Sequence, residues 1–196
     1  MLHVITGGSG SGKSAYAEAE AMRLAETGGG IRKKYYIATM EPFGEETLQK
    51  IEKHQKLRTG KGFETIECYV DLAKTAKELP VTREEGTAGT ASLRDDCLTE
   101  PVALLECMSN LAANELYRED GAGGNAVEAI LCGVDRLLAC CAHVVIVTNE
   151  VFSECPPQSV DMRNYRQVLG EINCALAERA DAVTEVVYGI PVEVKR

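Results

Sequence analysis

Gly7-Gly8-Ser9-Gly10-Ser11-Gly12-Lys13-Ser14, entered from the β-type run Leu2-His3-Val4-Ile5-Thr6, is the stretch on which the reading of this chain turns. Two glycines bracketing four residues, followed by Lys and Ser, form the phosphate-binding P-loop pattern. Glycine lets the backbone curl until successive N–H groups point into one concavity, which suits a row of phosphate oxygens. Lys13 then reaches the β- and γ-phosphates, and the Ser14 hydroxyl offers a ligand to Mg²⁺. Ala15 to Leu24 is rich in strong helix formers, so a helix N-terminus faces the same anion. A Gly/Ser linker matching by chance would have no reason to lie between a strand and an alanine-rich helix. The pattern predicts a bound nucleoside triphosphate.

A chain of 196 residues is long enough to bury a sizeable core, and residues 1–196 are expected to form a single domain. Thirty acidic against 21 basic residues give a net charge of −9, which argues against broad attraction to nucleic acid or to an anionic membrane. No apolar run approaches the length of a membrane span, and the first strand starts without a signal peptide, so the cytoplasm is the expected compartment. None of the eight cysteines form a Cys-x-x-Cys pair. Several fall in apolar stretches, and reduced thiols acting as small hydrophobes are expected rather than disulfides or zinc ligands.

Outward from the P-loop, Thr27-Gly28-Gly29-Gly30 stops the first helix and Tyr35–Thr39 reads as a second strand. Gly44 to Arg58 reads as a polar helix, with Glu46, Lys50, His54 and Arg58 spaced four apart on one face and only Leu48, Ile51 and Leu57 on an apolar side. Phe63–Glu67 reads as a short strand and Val70–Leu79 as a helix. Thr82–Thr99 is poor in large apolar residues and is expected to be an exposed insertion. Pro101–Glu106 and His143–Thr148 read as buried strands, and the apolar positions from Val127 to Leu138 and from Tyr165 to Leu176 as amphipathic helices. Strands Val183–Tyr188 and Val192–Lys195 close the chain. This alternation predicts an α/β fold, a doubly wound, mostly parallel sheet of P-loop NTPase type with helices on both faces. Ligands of such sheets gather at the C-terminal strand ends, here the P-loop, the residues after Thr39, Glu106 and Asn149-Glu150.

Glu106 ends an apolar strand where an acid of a nucleotide site would meet Mg²⁺, and Glu150 competes for that position; spacing does not separate them. His54 shares a polar helix face with two cations, Lys50 and Arg58, that suit phosphates. His3 and His143, at strand starts, read as structural.

Several segments, taken in order, resemble one family. They are Thr6-Gly7-Gly8-x-x-Ser11-Gly12-Lys13-Ser14, Tyr36-Ile37-Ala38-Thr39, and Glu46-x-x-x-Lys50-Ile51-x-x-His54-x-x-x-Arg58 followed by Thr65-x-Glu67. Then come Leu104-Leu105-Glu106-Cys107 with Asn114, Val147-Thr148-Asn149-Glu150-Val151, and Arg163-x-Tyr165-Arg166-x-x-x-Gly170-x-x-Asn173. Ala180-Asp181 and Gly189-Ile190 complete the series. It is similar to the bifunctional adenosylcobinamide kinase/adenosylcobinamide-phosphate guanylyltransferases of cobalamin biosynthesis.

The resemblance implies two reactions: phosphorylation of adenosylcobinamide by ATP or GTP, then transfer of GMP from GTP to that phosphate. His54 is implied as the nucleophile that carries GMP, with Lys13 serving phosphoryl transfer. Implied nucleotide contacts are Gly7, Gly8, Ser9, Gly10, Ser11, Gly12, Lys13, Ser14, Ala38, Thr39, Met40, Gln55, Lys56, Leu57, Arg58, Glu67 and Glu106, with Ser14 and Glu106 as Mg²⁺ ligands. A cytoplasmic homotrimer is implied as well. Three departures stand out. Gly10 replaces the family's usual Arg, Phe63 its usual Trp, and Phe152-Ser153-Glu154-Cys155-Pro156 its glycine-containing loop. Two other readings stay open: a P-loop kinase for another small alcohol, and a GTP-sensing protein without transfer chemistry.

Overall fold

The structure is a computed structural model that describes residues 1–27, 31–79, 100–153 and 159–196, leaving out the side chains of Glu46, Lys50, Lys53, His54 and Leu57. The expected insertion at 82–99, the Gly28–Gly30 stop signal and the Cys155-Pro156-Pro157 break lie outside the described residues. The strands are β1 (Leu2–Thr6), β2 (Lys34–Ala38), β3 (Phe63–Glu67), β4 (Val102–Glu106), β5 (His143–Val147), β6 (Ala182–Val187) and β7 (Ile190–Lys195). The helices are α1 (Lys13–Ala25), α2 (Gly44–Arg58), α3 (Leu72–Glu78), α4 (Met108–Tyr117), α5 (Ala126–Cys140) and α6 (Val160–Arg179).

All seven strands join one sheet in the order β3-β2-β4-β5-β1-β6-β7, parallel throughout except for the β6–β7 hairpin. The expected doubly wound, mostly parallel sheet is therefore what forms. Strands β4 and β5 consist of apolar residues because both their faces are covered: Val102 to Leu105 and Val144 to Val147 are fully buried.

The two faces are covered unequally. Leu105, Val144 and Ile146 pack with residues of α3, α4, α5 and α6, including Leu72, Leu111, Ile130, Leu137, Leu169 and Ile172. On the other face Ile5, Leu104, Val145 and Val147 pack on α1 through Ala17, Ala21, Leu24 and Ala25. Small alanines let α1 lie close to the sheet. Among the described side chains, helix α2 contributes none to either buried cluster. Leu48 on it is exposed and Ile51 only half-buried.

His3 is buried between the Glu20 carboxylate and the Thr184 hydroxyl, and His143 lies against the Thr27 hydroxyl; both are structural, as their strand-start positions suggest. Among the described cysteines, Cys68, Cys107 and Cys141 are buried thiols, but Cys132 and Cys174 are exposed. Those two correct the expectation of core packing: each lies on the outer side of its helix, away from the stripe that meets the sheet.

Gly133 marks where α5 meets α3. A Cβ there would stand 2.6 Å from Leu72 Cβ and 3.0 Å from the Ala73 backbone nitrogen. Exchanging Gly for Ala in a helix interior ordinarily stabilises by about 1 kcal/mol, but overpacking against an immovable backbone costs about 1–3 kcal/mol. Gly133→Ala is expected to be destabilising on balance, read as a lower urea midpoint with an unchanged m-value.

Candidate active site

The P-loop leaves β1 and turns into α1 through Gly12, whose φ of +93° is left-handed backbone. A side chain at Gly12 would also press on Gly189 Cα at 3.3 Å, so glycine is needed twice over. Helix α1 starts with no side-chain cap and no acid in its first turn. Its first N–H groups and the positive end of its dipole are therefore left to an incoming anion. Lys13 is buried and folds back across the loop, its ammonium donating to the Gly8 carbonyl at 3.0 Å. Burial pulls its pKa below the ordinary lysine value, and the nearby Cys107 and Glu106 partly oppose that shift. Ser9 and Gly10 are exposed and Ser14 half-buried at the helix start; nothing lies within 4 Å of where a Gly10 side chain would begin.

Sheet register brings distant residues into line with this loop. Ala38 sits opposite Glu67 on one side and Glu106 on the other. Glu106 is level with Val147, and Val147 with Ile5, one residue before the strand gives way to the loop. Glu106 is buried and accepts a hydrogen bond from the Tyr36 hydroxyl at 3.1 Å. Burial, with the Glu106 charge behind it, pushes the Tyr36 phenol well above its usual value, so it stays a donor. The Arg58 guanidinium lies 3.5 Å from the centroid of the same tyrosine ring, a cation–π contact in a buried setting. Arg58 Nη1 is buried without a partner among the described residues. The residue is one of those lining an open cavity of about 590 Å³, with Gln55, Phe63 and Thr65. An unpaired buried N–H is costly, and an anion or acceptor arriving in the cavity would satisfy it.

Glu150 does something else. Its carboxylate Oε1 accepts the backbone N–H groups of Phe152 and Ser153, and its own N–H donates to the Gly7 carbonyl. It shapes the loop beside the P-loop, whereas Glu106 is the acid coupled to Lys13.

The remaining sequence candidates divide. Thr39 is fully buried and committed to the fold: its hydroxyl accepts from Cys107 N–H and donates to Cys107 carbonyl, and its own carbonyl takes the Asn114 amide. Met40 is half-buried; Lys56 is exposed and paired with Glu52, and Glu67 is exposed at the end of β3. The backbone of His54 lies one turn before Arg58 on α2, which places it at the edge of this cluster. The side chains of His54 and Leu57 are outside the described set.

The roles of two residues of the site region are not given by any motif. Glu18 on α1 is 1% exposed, and one of its oxygens is paired with Lys61, in the turn between α2 and β3. The other oxygen has no partner among the described residues. A signal existed: Glu18 falls on the stripe with Ala17, Ala21 and Ala25, which is otherwise apolar. Tyr36 reads in sequence as one more β-former, and only its position between Arg58 and Glu106 gives it a role.

As an Mg²⁺ site, the Ser14 hydroxyl and Glu106 carboxylate supply hard oxygen donors of the right kind. Among the described residues no group of three or more His, Cys, Asp or Glu forms a closed metal cage. A partial oxygen set suits an ion that takes its remaining ligands from water and phosphate.

The Gly-x-x-x-x-Gly-Lys-Ser turn from β1 into α1, set in a mostly parallel sheet covered by helices, defines the class: a P-loop nucleotide-binding α/β protein. The family description "Cobinamide kinase / cobinamide phosphate guanyltransferase" matches residues 3–88 and 80–194. The chain is 32% identical over 206 residues to the bifunctional adenosylcobalamin biosynthesis protein CobU of Salmonella typhimurium, covering 100% of both chains. It is 32% identical over 195 residues to the bifunctional adenosylcobalamin biosynthesis protein CobP of Pseudomonas aeruginosa, covering 100% of this chain and 98% of that one. Among solved structures it resembles the flagellar accessory protein FlaH from Methanocaldococcus jannaschii, with a TM-score of 0.49 and 14% identity over 99% of this chain and 77% of that one. The protein belongs to the cobinamide kinase/cobinamide phosphate guanyltransferase family.

The Glu18–Lys61 pair can be tested by stability. Lys61 is about a third exposed (side-chain relative exposure 32%), so removing it costs less than the ~3–5 kcal/mol of a fully buried pair. Lys61→Met is expected to destabilise by about 2 kcal/mol. Adding Glu18→Gln should restore part of the loss, because the uncompensated buried charge is then gone. Chemical denaturation of the two single variants and the double variant checks this.

Proposed function

We propose that this protein phosphorylates the aminopropanol hydroxyl of adenosylcobinamide and then guanylylates the product, as its family membership implies. The observation that carries the reading is the α1 start with Lys13 folded across it, in a chain that matches the family along nearly its whole length.

In the first reaction the substrate hydroxyl oxygen attacks the γ-phosphorus of ATP or GTP. The bond to the β-phosphate oxygen breaks, the nucleoside diphosphate leaves, and the hydroxyl proton is released. Catalysis of this type is mainly positioning and charge neutralisation. The P-loop N–H groups and Lys13 hold the phosphates, and bound Mg²⁺, held by Ser14 and Glu106, would add charge neutralisation. In the second reaction a neutral His54 imidazole nitrogen attacks the α-phosphorus of GTP and expels pyrophosphate. The cobinamide phosphate oxygen then displaces the imidazole and takes GMP. Two easier transfers replace one difficult one. The buried Arg58 with its unpaired N–H, one turn from His54, supports an anionic ligand at that end of α2.

We propose the remaining nucleotide contacts implied by the resemblance, except that Thr39 acts through the position of β2 rather than by a free hydroxyl. A single domain and a homotrimer belong to the same proposal. Phe43 and Leu48, exposed at 84% and 52% beside and on α2, support a subunit contact there. The cytoplasm is the proposed compartment. No helix among the described residues is long and apolar enough to cross a membrane.

Incubation with α-phosphate-labelled GTP and Mg²⁺ should leave label on the protein in an acid-labile, base-stable linkage that vanishes in His54→Ala. If wild type retains none, the guanylyl half fails. Transfer of γ-label to cobinamide should fall by about 100-fold or more in Lys13→Ala.

A pH effect follows from Lys13. Its lowered pKa means the free protein loses this cation below the 10.5 of ordinary lysine. Affinity for a non-hydrolysable triphosphate should therefore decline on the alkaline side before that pH. Lys13→Arg, which keeps its charge there, should flatten the decline. Titration calorimetry across alkaline pH measures it.

A further inference from the structure

A buried arginine commonly spends its N–H groups on carboxylates, in paired hydrogen bonds. Arg58 does not. Its guanidinium carbon lies 3.5 Å from the centroid of the Tyr36 ring, which is contact distance. A nitrogen aimed at the ring would fall inside that distance, so the planar group lies flat on the ring face and its N–H groups point outward along its edge. Nη1 is buried and has no hydrogen-bond partner among the described residues. Glu18, whose charge also bears on Tyr36, keeps an unpartnered buried oxygen of its own, so the two orphan groups have not joined. A ring face steadies a guanidinium charge without consuming its donors, whereas a carboxylate would consume them.

The ring is itself held in place. Tyr36 pairs with Leu104 in the sheet while its hydroxyl donates to Glu106, two residues further along β4. The side chain therefore leans along β2 toward the rim where the strands end. Phe63 meets the ring edge-on, with centroids 6.4 Å apart and planes at 80°. Arg58, Gln55, Phe63 and Thr65 line the open cavity, and the His54 backbone lies one turn before Arg58 on α2. We infer that Tyr36 is a positioning residue for guanylyl transfer: its ring holds Arg58 by the face and leaves the N–H edge for the phosphate that His54 attacks. This rests on the guanylyl reading given above. Tyr36 touches no substrate in this role and acts through Arg58. An anion arriving at Nη1 displaces no hydrogen bond, so it can be gripped and released while the arginine stays on its seat.

The test is single-turnover labelling of the full chain with saturating α-phosphate-labelled GTP in Mg²⁺, beside transfer of γ-label from ATP to cobinamide. Tyr36→Leu removes the ring face and should slow labelling of His54 by about 10- to 100-fold, with a far smaller effect on γ-transfer. Tyr36→Phe keeps the face and should restore most of the labelling rate. Added to Arg58→Ala, the Tyr36→Leu change should cause no further loss, because the ring acts only through that arginine. Tyr36→Met, unbranched and able to fill the space of the ring, gives the same comparisons if Tyr36→Leu does not fold. Labelling at the wild-type rate in Tyr36→Leu or in Arg58→Ala overturns the role, and so do losses that multiply in the double variant. An equal fall in γ-transfer overturns it as well, by marking Tyr36 as a support of the whole rim. So does a Tyr36→Phe protein as slow as Tyr36→Leu, which would put the work on the hydroxyl. Wild type that retains no label overturns the guanylyl reading itself.

Discussion

One buried electrostatic series, in which Glu106 acts through space on Lys13, accepts the Tyr36 hydroxyl and through that ring meets Arg58, holds the phosphate loop and the last turn of α2 in a common frame. Each member needs the next. Glu106 is a carboxylate at the end of an apolar strand, and its burial is tolerable because a donor and a cation face it. Tyr36 stays protonated because that same carboxylate and the surrounding apolar packing disfavour phenolate. Arg58 is desolvated against the ring face, where the attraction is stronger than at an open surface. The Glu18–Lys61 pair runs alongside, tying α1 to the turn that follows Arg58. The P-loop and the helix that carries His54 are thus positioned against each other from below.

Register supplies the other half of that precision. Glu67, Ala38, Glu106, Val147 and Ile5 occupy one level across five neighbouring strands. Neighbouring strands lie about 4.8 Å apart, so residues far apart in sequence meet at distances fixed by backbone hydrogen bonds rather than by flexible side chains. A parallel sheet buried on both faces cannot slip by one residue without turning its apolar residues out of the core.

The fold was largely legible because its signals are local. Buried strands appear as apolar runs, α2 and β3 start and stop where the composition does, and the P-loop states its own conformation through its glycines. In the candidate site, Gly7 to Ser14 stand out by motif alone. The site was not legible where a role depends on a partner far along the chain. Glu18 and Lys61 are 43 positions apart, and Tyr36 and Glu106 are 70 apart. Glu115 is a further case: it reads as an ordinary helix residue, yet it is buried with its two oxygens accepting the N–H groups of Asp71 and Ala122. Glu106 and Glu150 were equivalent as strand-end acids, and only the Phe152 and Ser153 N–H groups on the Glu150 carboxylate set them apart.

The unequal cover of the sheet has a thermodynamic consequence. Among the described side chains both buried clusters close without α2, so the free energy they supply is vested in the strands, α1 and the opposite helical layer. Apart from its Arg58 anchor, α2 carries little of that burden, and selection on its outward positions is relieved of the demand for stability. Such a helix can change its outward residues while the scaffold below keeps its melting point. Stability and latitude for sequence change are housed in different parts of one small protein.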